Sequence, residues 1–175
     1  MPVTRDEAKT IVETLNYFGK QFLEASQNVL KEGKSIPMTA IAINTKAEVA
    51  YVLIGKHESN DDFIARVRND LASERMKDYP VALLAAEAYM SVFDSVEYSE
   101  EEIEELLKSP PSRREDAQDV VIVSINTRGG ITALKSWVVD ENKRAISTIP
   151  ERDEDLVERI VNDDLSYDGN YAKLF

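Results

Sequence analysis

The chain has 175 residues, of which 33 are acidic and 21 are basic, and it carries a net charge of −12. A chain of this length suits one domain that buries roughly 70% of the surface its unfolded form exposes. Because it contains no cysteine, disulfides, thiolate-held metals, iron–sulfur clusters and thiol catalysis are excluded. The negative charge disfavours direct binding to nucleic acid and to anionic membranes.

The first residues lack the basic segment and the following apolar region of a secretory signal. No apolar run approaches the length of about 18 residues that a membrane span requires. The sequence therefore predicts a soluble, cytoplasmic protein.

The acidic residues are concentrated in residues 94–119 and 150–175, which carry −7 and −5 and so account for the whole net charge. Solvated helix faces explain most charge runs of this kind. The alternative is an electronegative surface that binds a basic protein partner. Both interpretations stay open at this point.

The chain begins with a predicted long helix. Thr4 opens it with the spacing of a capping box, apolar residues recur with the helical period, and Gly33 ends it. Gly19 lies inside this helix and predicts either a bend or a close approach to the sheet. Phe18 and Phe22 fall on the apolar stripe and are assigned to the core.

Two stretches rich in β-branched residues, Ile36–Asn44 and Glu48–Ile54, predict a hairpin. A second helix is expected to begin after Ser59, whose side chain suits an N-cap. We expect this helix to end near Asp78, because Pro80 disfavours the helical conformation of the residue before it.

The longest apolar run, Val81–Val92, is compatible with a helix or a buried strand. Its alanines and leucines favour a helix, whereas its short length and the proline before it favour a strand. We interpret it as the central strand of a sheet. One face would then be wholly apolar, and Glu87 would lie on the other.

The rest of the chain predicts two helices, three strands and a tail. They are an acidic helix over Ser99–Lys108, strands over Gln118–Asn126, Ile131–Asp140 and Arg144–Ile149, a helix over Glu151–Val161, and residues 165–175 as a tail that docks on the core or on a second subunit. The sequence therefore predicts a single α+β domain over residues 1–175. Its sheet has five or six mostly antiparallel strands, with the long N-terminal helix and a second helix packed on it.

Residues Glu87-Ala88-Tyr89-Met90, followed by the loop Pro111–Asp116 and the strand Val120–Asn126, carry a resemblance. They resemble small uncharacterised bacterial, phage and mobile-element proteins in which a Glu-Ala-aromatic-Met strand leads through a Pro/Arg loop to a β-meander. The similarity covers roughly residues 80–140, and Tyr89 stands where tryptophan is expected. It implies a fold and transfers no reaction.

The sequence offers little catalytic chemistry. His57 is the only histidine, so a Ser-His-Asp triad or a two-histidine metal site would need another kind of residue. No phosphate-binding loop, HExxH or GxSxG motif is present. The acidic pairs Asp61-Asp62 and Asp163-Asp164 lie at helix ends, where such residues cap helices. We therefore predict no metal and no cofactor, and assign His57 to a loop that is a candidate pocket.

Glu87 is the candidate charged site. A carboxylate in an apolar strand must reach the rim of the sheet, meet a cation or be neutralised. Arg113 and Arg114 are the nearest cations in the predicted order of elements. We predict an ion pair between Glu87 and one of them, and leave open whether it is structural or functional.

These observations favour a non-catalytic acidic protein that binds or regulates a basic protein partner, with self-association into a homodimer as a further expectation. The resemblance places such a protein in a phage or mobile element. The alternatives are a carboxylate- or metal-dependent hydrolase that uses Glu87, a DNA mimic that aligns the acids of residues 94–108 and 151–164, and a structural subunit.

Overall fold

The structure is a computed structural model. It describes residues 3–55, 58–90, 99–107, 118–140, 145–148, 152–163 and 174–175. These ranges contain four α-helices, which are α1 (Arg5–Lys31), α2 (Asn60–Leu71), α3 (Glu100–Leu107) and α4 (Asp153–Val161). They also contain six strands, which are β1 (Thr39–Ile43), β2 (Val49–Ile54), β3 (Val81–Met90), β4 (Gln118–Thr127), β5 (Thr132–Asp140) and β6 (Ala145–Thr148).

All six strands belong to one antiparallel sheet in the order β2-β1-β3-β4-β5-β6. The predicted α+β fold with a six-stranded sheet and a long N-terminal helix is confirmed. The stretch that begins at Val81 is a strand of ten residues, so the helix alternative is wrong. It pairs with β1 on one side and β4 on the other, as a central strand must.

The sheet is covered on both faces. On β3, Leu83 and Ala85 point to the face covered by α1 and α4, which we call the α1 face. Ala82, Leu84 and Ala86 point to the opposite face, covered by α2, which we call the α2 face. Each fully buried leucine contributes about 1.5–3 kcal/mol of stability. Burial on both faces explains why this strand lacks the polar alternation of a half-exposed one.

Helix α1 begins and ends as its sequence predicts. The Thr4 N–H donates to Glu7 Oε2 at 2.9 Å, and the Glu7 N–H donates to Thr4 Oγ1 at 3.1 Å. Gly33 ends the helix with a φ of +74°. A Cβ placed on Gly19 would lie 3.3 Å from Trp137 Cη2. The predicted close approach of α1 to the sheet is therefore correct, and Trp137 of β5 is the residue that it contacts.

Helix α2 is shorter than its sequence predicts. It begins after the Ser59 N-cap but ends at Leu71 instead of near Asp78. The Ser73 hydroxyl donates to Asp70 O at 2.6 Å, which gives this carbonyl a partner other than the next helical N–H. A single 3-10 turn over Glu74–Met76 follows. The predicted end of α2 was wrong because Pro80 sets only the last residue at which the helix could end. It gives no information about whether the helix ends earlier.

Arg128, in the turn between β4 and β5, joins three segments. Its Nη2 donates to Leu71 O at 2.9 Å and to Met76 O at 2.7 Å, and its Nε donates to Tyr79 O at 2.7 Å. Its guanidinium also lies 4.5 Å from the ring centroid of Phe175. One of these acceptors, the Leu71 carbonyl, lies at the C-terminal end of α2, where carbonyls lack intrahelical partners. The same cation therefore holds the end of α2, the 3-10 turn and the connection to β3 together.

Leu174 is part of the core on the α2 face. Its side chain is fully buried beside residues of α2 and β3, and its N–H donates to Asn126 Oδ1 at 3.3 Å. In the described residues, no helix combines the length and the apolar character that crossing a membrane requires.

We predict that Arg128→Ala lowers the free energy of unfolding by about 2–4 kcal/mol, because hydrogen bonds made by a charged donor each contribute about 1.5–3 kcal/mol. Urea denaturation measures this change. Arg75→Ala is the matched control, since Arg75 is exposed in the neighbouring 3-10 turn, and it should cost less than about 0.5 kcal/mol. Equal effects of the two substitutions would contradict this role of Arg128.

Candidate functional site

No helix among the described residues covers the α1 face of the sheet at its β2 side. Ile41 of β1 is paired with Val52 of β2, and Thr39 is paired with Ile54, so these side chains share one face. Val52 is 57% exposed and Ile54 is 47% exposed. Val49, opposite Ile43 on the same face, is 43% exposed. Strand β2 therefore presents an apolar row to solvent.

An open apolar groove of about 220 Å³ lies beside this row. It is lined by residues of α1 and of three strands, which are Phe18, Gln21, Phe22, Thr39, Ile41, Leu83, Ala85 and Val123. Gln21 and Thr39 are its polar residues. Ile41 lines the groove and is also the direct neighbour of Val52. The groove and the exposed row of β2 therefore form one continuous apolar surface.

Strand β2 is also an edge of the sheet, because within the described residues its single strand neighbour is β1. The Gly55 N–H donates to Met38 O at 2.8 Å. Because hydrogen-bonded and non-bonded pairs alternate in an antiparallel ladder, Leu53 and Tyr51 direct their N–H and C=O groups toward β1. Val52 and Ile54 direct theirs outward. We call this row of outward backbone groups the free edge.

The turn before β2 is built by Asn44. Its Oδ1 accepts hydrogen bonds from the N–H groups of Lys46 at 2.9 Å and Glu48 at 3.0 Å. Ala47 adopts a φ of 62° within this turn, and the pairing shifts by a β-bulge between Ala42 and Ile43. Bulges are frequent at sheet edges, where they alter the local twist. Here the bulge lies at one end of β2, and the pairing from Tyr51 to Ile54 stays regular.

Tyr51 connects β2 to helix α2 on the α2 face of the sheet. Its hydroxyl donates to Asp70 Oδ2 of α2 at 2.7 Å. Partial burial, followed by this hydrogen bond and by the negative charge of Asp70, raises the pKa of Tyr51 above its ordinary value. Strand β2 is therefore held firmly on its α2 face while its α1 face is exposed.

Glu87 lies on the α1 face, two residues beyond Ala85 of the groove. Its Oε2 accepts a hydrogen bond from the Ile36 N–H at 3.2 Å, which ties the connection between α1 and β1 to the centre of the sheet. Arg113, Arg114 and His57 lie outside the described residues. The ion pair of Glu87 with an arginine and the role of His57 therefore stay predictions.

A polar network links α1, β5 and α4. Lys135 Nζ donates to Asn16 Oδ1 and to Asp153 Oδ1, both at 2.5 Å, and Asn16 Nδ2 donates to Asp153 Oδ2 at 3.0 Å. The hydrogen bond from Lys135 lowers the pKa of Asp153. These contacts pair one cation with one anion and position α4. Across the described part of the chain, no three His, Cys, Asp or Glu side chains gather as they would around a metal ion.

Comparison of the chain with protein-family models, with curated proteins and with solved structures gave no match. The surface is therefore interpreted from its own residues. Phe18 and Phe22, which the sequence assigns to the core, pack against the core of the α1 face. Both are half-buried, and they also form a wall of the groove. Their helical spacing places both residues on the apolar stripe of α1. The spacing does not show which part of the stripe packs on the sheet and which part extends past it.

Tyr51→Phe tests the attachment of β2. A raised folded pKa adds stability that is complete below the unfolded pKa of about 10 and is lost as the pH rises through the folded pKa. We expect Tyr51→Phe to cost on the order of 1 kcal/mol at neutral pH, and we expect this difference to shrink above about pH 10. Urea denaturation across this pH range measures both. Tyr17→Phe, at a side chain that is 60% exposed, is the matched control, and a Tyr51→Phe difference that persists in alkali contradicts this account.

Proposed function

We propose that this protein is a non-catalytic protein-binding module whose recognition surface is the apolar groove between α1 and the sheet. The observation that carries the proposal is the continuity of the groove with the exposed row of β2. Contiguous exposed apolar surface with a polar rim marks sites of protein association. Gln21 and Thr39 supply polar groups within the groove that can orient a bound segment.

The size of the groove favours a protein partner over a small-molecule ligand. Ligand pockets commonly enclose about 300–1,000 Å³ and bury most of the ligand. This groove holds about 220 Å³ and is open to solvent. Its capacity suits a bulky apolar side chain of a partner, while the neighbouring row of β2 extends the contact area. Central apolar anchors of this kind supply most of the binding energy at protein interfaces.

The charge of the chain favours a basic partner. A net charge of −12 produces a long-range field that accelerates association with a cationic protein. The exposed acids of α3 contribute to this field, and they are Glu100, Glu101, Glu102, Glu104 and Glu105. Apolar contacts in the groove then supply affinity, and the field supplies rate and selectivity. A regulatory protein of a phage or mobile element is the biological setting that the sequence resemblance implies.

The hydrolase alternative needs a second carboxylate or His57 beside Glu87. Among the described residues, Glu87 accepts a backbone hydrogen bond from Ile36, and because His57 lies outside them this alternative stays a prediction. The DNA-mimic alternative needs the acids of α3 and α4 on one surface, and it stays a prediction. We therefore favour the binding function over the hydrolase and DNA-mimic alternatives.

Selection of peptides from a random library against the immobilised protein tests the proposal. We expect the selected peptides to carry a bulky apolar residue with lysine or arginine nearby, and to shift the amide resonances of Phe18, Phe22 and Ile41. Selected peptides that shift resonances elsewhere would contradict the proposed site.

Substitutions at Gln21 sharpen this test, because its exposed side chain lines the groove. Gln21→Arg should weaken binding of a selected basic peptide about two- to fivefold, and Gln21→Glu should tighten it by a smaller factor, as expected for exposed charge pairs. Asn28→Arg is the matched control, since it adds the same charge at an exposed position of α1 that does not line the groove. Titration calorimetry gives the dissociation constants, and equal weakening by both arginine variants would show a general charge effect.

A further inference from the structure

We infer that a second copy of this chain pairs with the free edge of β2, so that the two sheets continue into each other across a two-fold axis. The inference goes beyond the proposed function, because it uses the backbone edge of β2 and shares with that function only the exposed side chains of the strand. It rests on two properties of β2, which are its outward backbone groups and its exposed, uncharged side chains.

The outward backbone groups supply the binding interaction. Val52 and Ile54 direct their N–H and C=O groups away from β1, as the Gly55 to Met38 hydrogen bond establishes. The same residues expose their apolar side chains. A strand added at this edge would therefore gain hydrogen bonds and apolar contacts from the same residues. This is the pattern of β-strand addition between proteins.

Strand β2 carries one of the features that keep sheet edges apart and lacks the others. Natural edge strands carry lysine, proline, inward charges or bulges that hinder pairing with another chain. Residues Val49–Ile54 read VAYVLI, with no charge and no proline. The strand has a bulge in its first half, opposite Ala42 and Ile43 of β1, and its pairing from Tyr51 to Ile54 is regular. An edge of this kind is stable in water when another strand covers it.

The apolar side chains of β2 match those of a second copy in an antiparallel pair. With the two-fold axis beside Val52, each Val52 faces its equivalent, and the apolar side chains of both copies lie on the same face. Val52 is 57% exposed and Ile54 is 47% exposed. Self-pairing therefore removes exposed apolar surface of both copies from water.

The dependence of affinity on salt concentration distinguishes this self-association from binding to a basic partner. Two copies that each carry −12 repel one another, and added salt screens that repulsion. Self-association through an uncharged strand should therefore tighten as salt rises, whereas binding of a basic peptide should weaken.

Sedimentation velocity of the full chain over a dilution series, at about 0.05 M and about 0.5 M salt, measures the dimerisation constant. We expect a reversible dimer that is at least threefold tighter at the higher salt. Val52→Lys should weaken it at least tenfold, and Ile54→Lys should do the same. Tyr17→Lys is the matched control, since this α1 side chain is 60% exposed, and it should leave the dimer unchanged. Circular dichroism confirms that each variant is folded.

A wild-type chain that stays monomeric at every concentration overturns the inference. So does a dimer that Val52→Lys and Ile54→Lys leave intact. Failure here is distinguishable from failure of the proposed function, because Gln21→Arg alters the groove and leaves the free edge of β2 unchanged.

Discussion

The burial of β3 on both faces is the constraint on which the rest of the structure depends. Leu84 is 1% exposed on the α2 face and Leu83 is 2% exposed on the α1 face, so each face needs a layer of helices. Six strands about 4.8 Å apart span about 24 Å from the first axis to the last. Two helices, each about 10 Å across, cover about 20 Å. The α1 face therefore has more width than α1 and α4 can cover, and in the part of the chain that the structure describes the uncovered part falls at β2.

Much of this architecture could be predicted from local pattern. The capping box at Thr4 fixes the start of α1, and the alternation along β3 separates its apolar face from the face of Glu87. The shared face of Val52 and Ile54 also follows from strand periodicity. Their exposure does not follow, because periodicity says which side chains point together and does not say what lies above them. The early end of α2 and the contacts of Arg128 depend on groups distant in sequence, and local patterns carry no signal for them.

Glu87 makes a structural contact among the described residues, and its predicted ion pair with Arg113 or Arg114 stays a prediction. A carboxylate within an apolar strand needs a polar partner, and the structure gives it the Ile36 N–H at the connection between α1 and β1. The more informative residues are apolar. Phe18, Phe22 and Ile41 form the wall of the groove, and Val52 lies beyond Ile41 at the edge of the sheet. The proposed functions therefore depend on the shape of the groove and on the pairing of β2. The negative charge of the chain favours the approach of basic partners.

The central claim is that β2 is exposed both at its backbone edge and on its α1 face. Hydrogen–deuterium exchange of individual amides in dilute protein at low salt tests it most directly, because inward and outward amides alternate along the strand. The account predicts slow exchange at Tyr51 and Leu53, which bond to β1, and fast exchange at Val52 and Ile54. Slow exchange at all four amides would show that the edge is already paired within one chain, and would contradict the account.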